Sequence, residues 1–264
     1  MGVLQNEVIL RESDHRYFDR QDVEFKSVSK FIEGFCEKFD RDGWSKFKAK
    51  QGGVSQAEIL KDWDKKKDDS IDHGVRIHDS METFGKTFSM KEGHEDLEPL
   101  VKSVFSDYKE YYRMLSEECL YTRNGNIAGT CDKFFVVRAG KNSPIDIEDF
   151  KTNLRKGIVF NNKYADGSNK DGKYKGYMLG PCSHLQDCNF VRYSIQLSIY
   201  GYMAEEMTGR KIRGLWMRYI PPENKLMHKR MAIPYMRDTV VNMIEWYKAG
   251  MCENVVMSAA PNFG

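Results

Sequence analysis

Two runs of apolar residues, rich in β-branched and aromatic side chains, lie on either side of a short polar turn in the middle of the chain. They cover 127–137 and 145–152, and the turn at 139–144 contains glycine and proline. This pattern predicts a β-hairpin. Because side chains alternate between the two faces of a strand, the hairpin determines which of its charged residues can act together.

The charged residues at the end of the second strand are predicted to divide between its two faces. Asp149 and Lys151 are two positions apart and should point the same way, while Glu148 should point the other way. When the hairpin closes, Asp132 on the first strand approaches Asp149 on the second. The sequence therefore predicts an acidic pocket with an ammonium group at its rim.

A pocket of this kind favours a divalent cation. Neighbouring carboxylates repel each other, and Mg²⁺ (or Mn²⁺) relieves that repulsion with a preference for oxygen ligands. Such an ion activates water and polarises a phosphoryl group, and Lys151 could orient the water or stabilise the transition state. The motif predicts phosphodiester hydrolysis. Its alternative is a solvated surface hairpin, because aspartate and lysine are mostly exposed.

Two further segments offer polar side chains at helical spacing. Residues 191–207 are predicted to be helical, which places Gln196 and Tyr200 on one face. Both could donate hydrogen bonds to phosphate oxygens, and Tyr200 could stack on a base. A helix that begins near Asp72 carries His78, which could ligate a metal or contact a phosphate. Taken singly, each segment also fits an ordinary amphipathic helix.

Taken in chain order, these residues resemble a nuclease family. They are His78, Glu117 or Glu118, Asp132, Asp149, Lys151, Gln196 and Tyr200. The set resembles the RecB-type branch of the PD-(D/E)XK nuclease superfamily, in particular the phage and mitochondrial genome-maintenance exonucleases. The resemblance implies an α/β (α+β) restriction-endonuclease-like core, with a central mixed sheet flanked by helices and an N-terminal helical region.

The resemblance also implies a role for each matching residue. Asp132 and Asp149 would be metal ligands, joined by the carbonyl of Phe150 and by His78. Lys151 would be the catalytic lysine. Gln196 and Tyr200 would organise the active face and bind the nucleic-acid strand, and a glutamate ahead of the hairpin would complete the site. Glu117 is slightly favoured over its neighbour Glu118 for that position.

The implied function is that of a Mg²⁺-dependent deoxyribonuclease. An exonuclease that acts on DNA ends or single strands, in phage or genome-maintenance processing, is favoured by the family likeness. A site- or structure-specific endonuclease and a catalytically inactive nucleic-acid-binding protein of the same fold are the alternatives. No iron–sulfur cluster is expected, because only Cys252 follows the predicted Gln-Tyr helix, where the cluster-bearing relatives have three cysteines.

An insertion at about 153–190 is rich in basic and aromatic residues. Cations that follow phosphates and rings that stack on bases suit single-stranded nucleic acid. The basic residues proposed to contact it are Arg155, Lys156, Lys173 and Lys175. A solvated surface loop is the alternative.

The remaining pattern predicts one domain over 1–264, made of an N-terminal hairpin and helical region (1–115) and a catalytic core (116–264). The expected elements are a strand pair at 8–10 and 16–18, helices over about 27–50 and 55–115 with breaks near residues 52–53 and near Gly93, the 119–152 hairpin, strands at 212–220 and 229–234, and a last helix capped by Asp238. This order places helices on both faces of a sheet.

Composition adds little to this prediction. A formal charge of +2 is too small to indicate nucleic-acid binding by itself. No apolar run has the length of a membrane span, no signal peptide opens the chain, and the six cysteines are scattered. We therefore expect a cytoplasmic protein without a membrane partner, located in the host cytoplasm if the chain is viral. No interface pattern predicts an oligomeric state.

Overall fold

The computed structural model describes residue 4 and residues 7–153, 157–163, 176–222 and 225–251. Its strands are β1 (Val8–Arg11), β2 (Arg16–Asp19), β3 (Glu24–Ser27), β4 (Arg113–Thr122), β5 (Ile127–Val136), β6 (Ile145–Lys151), β7 (Ile212–Tyr219) and β8 (Lys229–Ile233). Its α-helices are α1 (Val28–Glu33), α2 (Arg41–Gly52), α3 (Gln56–Thr87), α4 (Glu98–Ser106), α5 (Asn189–Thr208) and α6 (Arg237–Lys248). No described helix combines the length and the apolar character needed to cross a membrane.

The strands form one mixed sheet in the order β1-β2-β3-β5-β6-β7-β8, with β4 also paired to β5. Strands β3 and β5 are parallel, as are β6 and β7, and the other pairs are antiparallel. Helix α5 lies between β6 and β7 in sequence, because parallel neighbours require a long crossover connection. This crossover brings α5 over the strand that carries Asp149 and Lys151.

The predicted hairpin is confirmed. Strands β5 and β6 are antiparallel, and their ladder ends where Lys133 pairs with Glu148. Beyond that pair, the side chain of Asp132 accepts a hydrogen bond from the backbone N–H of Phe150. The Asp132 carboxylate therefore accepts the hydrogen bond that a backbone carbonyl would accept in a regular pair of strands. This contact lies where β5 and β6 border the candidate site.

Helices cover both faces of the sheet, which confirms the predicted fold class. On one face, Phe134 and Ile147 pack in a cluster that includes Leu197 of α5 and Ile244 of α6. On the other face, the members of a second cluster come from α3, α4 and the neighbouring strands. They include Ile77, Met81, Leu100, Val104, Phe135 and Phe150.

Helix α3 is the longest element and is clearly delimited at both ends. Ser55 caps its N-terminus in a reciprocal capping box with Glu58. At its C-terminus Phe88 adopts the left-handed conformation with φ 58°. The helix carries His78 in its second half, where Ile77 and Met81 are buried against the sheet. Packing of these neighbours sets the position of the imidazole.

Several predicted boundaries are wrong. The expected helix over 27–50 is two helices, and the helical region over 55–115, which is broken around Gly93 as predicted, ends at Ser106. Residues from Arg113 onward belong to β4, because pairing with β5 outweighs their local helical character. Asp238 does not cap the last helix. The cap residue is Met236, and Asp238 lies in the first turn, where a carboxylate still interacts favourably with the helix dipole.

Candidate functional site

Three elements bring an imidazole and two carboxylates together. His78 comes from α3, Glu117 from β4 and Asp132 from β5. One potential ligand atom from each of these residues lies within 4.8 Å of the others. His78 Nδ1 is 3.1 Å from Asp132 Oδ1. Imidazole and carboxylate are both common ligands of divalent metals, so this group could hold a metal ion.

Backbone conformation directs Glu117, rather than Glu118, toward this group. Ser116 pairs with Lys133 and Glu118 with Cys131, so Glu117 falls opposite Asp132. Its φ angle is 55°, which is uncommon for a residue with a side chain. Strain of this kind costs about 1–3 kcal/mol and persists where the surroundings enforce it, often at functional sites.

A chain of polar contacts links β6 to α5. The ammonium of Lys151 contacts Asp149 Oδ2 and donates a hydrogen bond to Gln196 Oε1 at 3.0 Å. Gln196 Nε2 in turn donates to the hydroxyl of Tyr200 at 2.9 Å. Gln196 and Tyr200 are one helical turn apart on α5, as their spacing predicts. The amide of Gln196 is therefore oriented with its oxygen toward the lysine.

Tyr200 lies deep beneath this chain of contacts. Its side chain is 4% exposed and belongs to the main hydrophobic cluster. The ring packs so closely on β5 that a Cβ at Gly129 would come within 2.8 Å of Tyr200 Cε1. In this position Tyr200 orients Gln196, and its ring face is not open to a base.

The other predicted ligand groups occupy distinct places. Asp149 is outside the group of three and is 3% exposed beside Lys151. The Phe150 N–H is bonded to Asp132, and the Phe150 ring meets the His78 ring edge-on at 5.9 Å. A ligand role for the Phe150 carbonyl stays a prediction. Arg155, Lys156, Lys173 and Lys175 lie outside the described residues.

Burial and mutual repulsion perturb the acids of the site. Burial, with the charge of Asp132, raises the pKa of Asp149 to about 6, against the opposing effect of Lys151. The same two causes raise the pKa of Glu117 to about 8. Burial would also raise the pKa of Asp132, but His78 and Lys151 hold it below its usual value. The site thus has more buried carboxylates than it can keep charged, which suits a divalent cation.

The basic groups show the reciprocal effect. Burial opposes the charged form of His78, yet the Asp132 carboxylate raises the pKa of His78 to about 9. Lys151 is partly buried, which opposes its charged form, yet the carboxylates of Asp149 and Asp132 raise its pKa above the usual value. The surrounding carboxylates therefore stabilise the positive charges of His78 and Lys151. A bound metal would supply part of the positive charge that balances these carboxylates.

Sequence reasoning missed two residues of this region. The ring of Tyr193 lies 4.6 Å from Lys151 Nζ, and its hydroxyl donates to Asn153 Oδ1 at 2.9 Å. Tyr193 precedes Gln196 by three residues, a spacing that places both on one helix face. The second residue is Lys133, a buried lysine next to Asp132. Its apolar surroundings come from distant parts of the chain and leave no local signal.

Comparisons with known proteins show a distant structural similarity. No family model and no curated protein matches the chain. It is similar to the crystal structure of a protein from Eubacterium rectale named "Putative exonuclease", with 14% identity, a TM-score of 0.40, and coverage of 90% of this chain and 83% of the other. It is also similar to the crystal structure of SSO0001, with 15% identity, a TM-score of 0.28, and coverage of 64% and 68%. At these values neither similarity bears on the activity of this chain.

Proposed function

We propose that the protein is a metal-dependent nuclease that hydrolyses phosphodiester bonds of DNA, and that it acts as an exonuclease on DNA ends or single strands. The observation that carries the proposal is the group formed by His78, Glu117 and Asp132, whose ligand atoms lie within 4.8 Å of one another. Asp149 and Lys151 on the adjacent strand complete the acid and lysine set. The resemblance to RecB-type PD-(D/E)XK nucleases supports the DNA substrate and the preference for ends.

The residues present fit a hard divalent cation such as Mg²⁺ or Mn²⁺. His78, Glu117 and Asp132 would hold it, with Asp149 as a further carboxylate from the next strand. When bound, the ion supplies a more acidic water and neutralises negative charge on the phosphodiester. This chemistry accounts for the concentration of perturbed carboxylates at one end of the β5–β6 hairpin.

We assign to Lys151 the role of acting on the phosphodiester itself, and its contacts support this assignment. Its ammonium is held between Asp149 and Gln196, which fixes its direction relative to the neighbouring carboxylates. A fixed cation can orient the attacking water or stabilise the charge that develops on the phosphoryl oxygens. Gln196 acts by holding Lys151, and Tyr200 by holding Gln196.

A cleavage assay tests the proposal. Purified wild type is incubated with end-labelled single- and double-stranded DNA and with RNA, in Mg²⁺, Mn²⁺ or EDTA. We expect DNA cleavage that requires the metal and falls by about 10²–10³ in Lys151→Met, the usual effect of removing one group that stabilises the transition state. Lys141→Met, an exposed lysine in the turn of the same hairpin, should cleave like wild type.

The outcomes separate the candidate functions. Absence of metal-dependent cleavage by wild type contradicts the enzyme, and retained DNA binding would then indicate an inactive nucleic-acid-binding protein. Equal cleavage by wild type, Lys151→Met and Asp149→Asn would show that the activity does not reside in this site. Circular DNA distinguishes the mode of action, because an exonuclease leaves it intact and an endonuclease opens it.

A further inference from the structure

Lys133 is a fully buried lysine whose neighbour in sequence is Asp132. Its side chain has no exposed surface. The ammonium lies over the rings of Phe105 and Phe150, at 5.2 and 5.8 Å from their centroids. A buried charge is costly unless hydrogen bonds and nearby charges compensate it. The hydrogen bonds of the Lys133 ammonium therefore show which parts of the fold stabilise its charge.

The ammonium of Lys133 joins the three elements that carry the metal group. It donates to the carbonyl of Met81 on α3 at 2.9 Å and to Oγ of Ser116 on β4 at 2.7 Å. Met81 follows His78 by three residues, and Ser116 directly precedes Glu117. Lys133 itself lies on β5, next to Asp132. Each residue of the metal group therefore lies close in sequence to a residue of this contact. His78 is one helical turn from Met81, and Glu117 and Asp132 are the direct neighbours of Ser116 and Lys133.

A glycine permits the close packing at this point. A Cβ at Gly85 would come within 2.2 Å of Ser116 Oγ and 3.0 Å of Lys133 Nζ. Gly85 therefore allows α3 to approach β4 more closely than any other residue would. The packing at Gly85 does not depend on the charge of Lys133. It is a second indication that the distance between α3 and β4 is determined at this point.

We propose that Lys133 is a positioning residue for the metal group, and that its hydrogen bonds hold α3, β4 and β5 at the separation at which His78, Glu117 and Asp132 share one ion. The inference rests on the metal site of the proposed function. It concerns metal affinity and does not require that the protein cleave DNA.

A charge effect and a positioning effect have opposite signs. A lysine near a cation site repels the cation, so if only its charge mattered, removal of Lys133 would tighten metal binding. If it positions the ligands, removal weakens binding. Loss of partners that orient metal ligands typically lowers metal affinity by about 10–100-fold. The sign of the change therefore distinguishes the two roles.

The test measures Mn²⁺ affinity by calorimetry for wild type, Lys133→Met and Lys141→Met, with thermal unfolding of the metal-free proteins as a second readout. Lys133→Met should bind about 10–100-fold more weakly. Its metal-free unfolding temperature should fall, because the Met81 carbonyl and Ser116 Oγ lose their buried donor, and the unfolding curve shows whether the variant is folded at the temperature of the titration. Equal or tighter Mn²⁺ binding by folded Lys133→Met overturns the inference.

Gly85→Ala provides a variant without a change of charge. The added methyl group separates α3 from β4, so Mn²⁺ affinity should fall in this variant as well. If Lys133→Met does not fold, Gly85→Ala alone decides: undiminished affinity overturns the inference, and weakened affinity supports it. Wild type that binds Mn²⁺ without cleaving DNA contradicts the proposed nuclease and leaves this inference intact. Wild type that binds no Mn²⁺ overturns both.

Discussion

Nδ1 of His78 lies 3.1 Å from Oδ1 of Asp132, although 54 residues separate them in sequence. The contact joins the long helix α3 to the central strand β5. Without a metal, the imidazole supplies positive charge to the carboxylate, and its pKa rises to about 9. Glu117, with a pKa raised to about 8 by burial and by Asp132, retains its proton at neutral pH. The metal-free group thus carries protons where a cation would bind.

Metal binding at pH 7 should release protons. His78 and Glu117 must lose theirs to become ligands, so we expect about two protons per ion. Calorimetric titration with Mn²⁺ in buffers of different ionisation enthalpy measures this number directly. Release should decline toward zero as the pH rises above 9. No proton release at pH 7 would show that His78 and Glu117 are not the ligands.

Glu117→Gln should stabilise the metal-free protein at alkaline pH. The usual pKa of a glutamate is 4.5, and that of Glu117 is raised to about 8, so the folded state binds this proton more tightly than the unfolded state. The stability it confers is present below pH 4.5 and is lost as the pH rises through 8. A rise from 4.5 to about 8 corresponds to about 4–5 kcal/mol at pH 8.5, so we expect the variant to be more stable than wild type by up to that amount in urea unfolding.

The same variant should respond differently to metal. At pH 4 its stability should equal that of wild type, because both side chains are then uncharged. Mg²⁺ should stabilise wild type at pH 8.5 and have little effect on Glu117→Gln, which lacks one carboxylate of the group. A variant less stable than wild type at pH 8.5 without metal would contradict the raised pKa.

Tyr193 should affect catalysis through the position of Lys151. The ring of Tyr193 lies 4.6 Å from Lys151 Nζ, and a cation–π contact at a buried site contributes about 1–2 kcal/mol. Tyr193→Leu should lower kcat about 10-fold with a small change in KM, while Tyr193→Phe keeps the ring and should stay within about 3-fold of wild type. Similar losses in both variants would assign the effect to the hydroxyl bond with Asn153 instead.

Neutralising Glu148 should lower the free energy of unfolding, whereas neutralising its neighbour Asp149 on β6 should not. Glu148 has no exposed surface and accepts hydrogen bonds from three side chains, Tyr108, Arg218 and Arg230. Glu148→Gln leaves the buried Arg218 with one carboxylate fewer and should cost about 3–5 kcal/mol of unfolding free energy. The exposed Glu110→Gln serves as control and should cost almost nothing.

Asp149→Asn is the informative comparison for that experiment. Burial and Asp132 disfavour the charge of Asp149, so its neutralisation should leave the metal-free protein as stable as wild type or more so. If Asp149→Asn and Glu148→Gln destabilise the protein equally, then it is wrong that Asp149 belongs to the candidate site while Glu148 on the opposite face of β6 stabilises the fold.

The parts of the fold that depend on local pattern could be predicted from sequence. Alternation along β6 separates Asp149 and Lys151 from Glu148, and helical spacing places Gln196 and Tyr200 together. Both relations follow from the geometry of a single element. The mixed sheet with helices on both faces follows from the order of such elements.

The features that sequence did not reveal depend on pairing between distant segments. The N-terminal part of β4 becomes a strand only by pairing with β5, and it was predicted to be helical. The positive φ of Glu117 and the buried contacts of Lys133 arise from that same pairing and from the close approach of α3 at Gly85. No local sequence pattern predicts these features, because each depends on which distant segments of the chain pack together.

The most direct test of the central claim is a crystal structure of Lys151→Met with Mn²⁺ and a short single-stranded DNA. Anomalous scattering locates manganese independently of the protein coordinates. The proposed function predicts a manganese peak coordinated by His78, Glu117 and Asp132, with a DNA phosphate bound to the same ion. A manganese peak elsewhere, or an ordered DNA strand whose phosphates lie far from these residues, would contradict it.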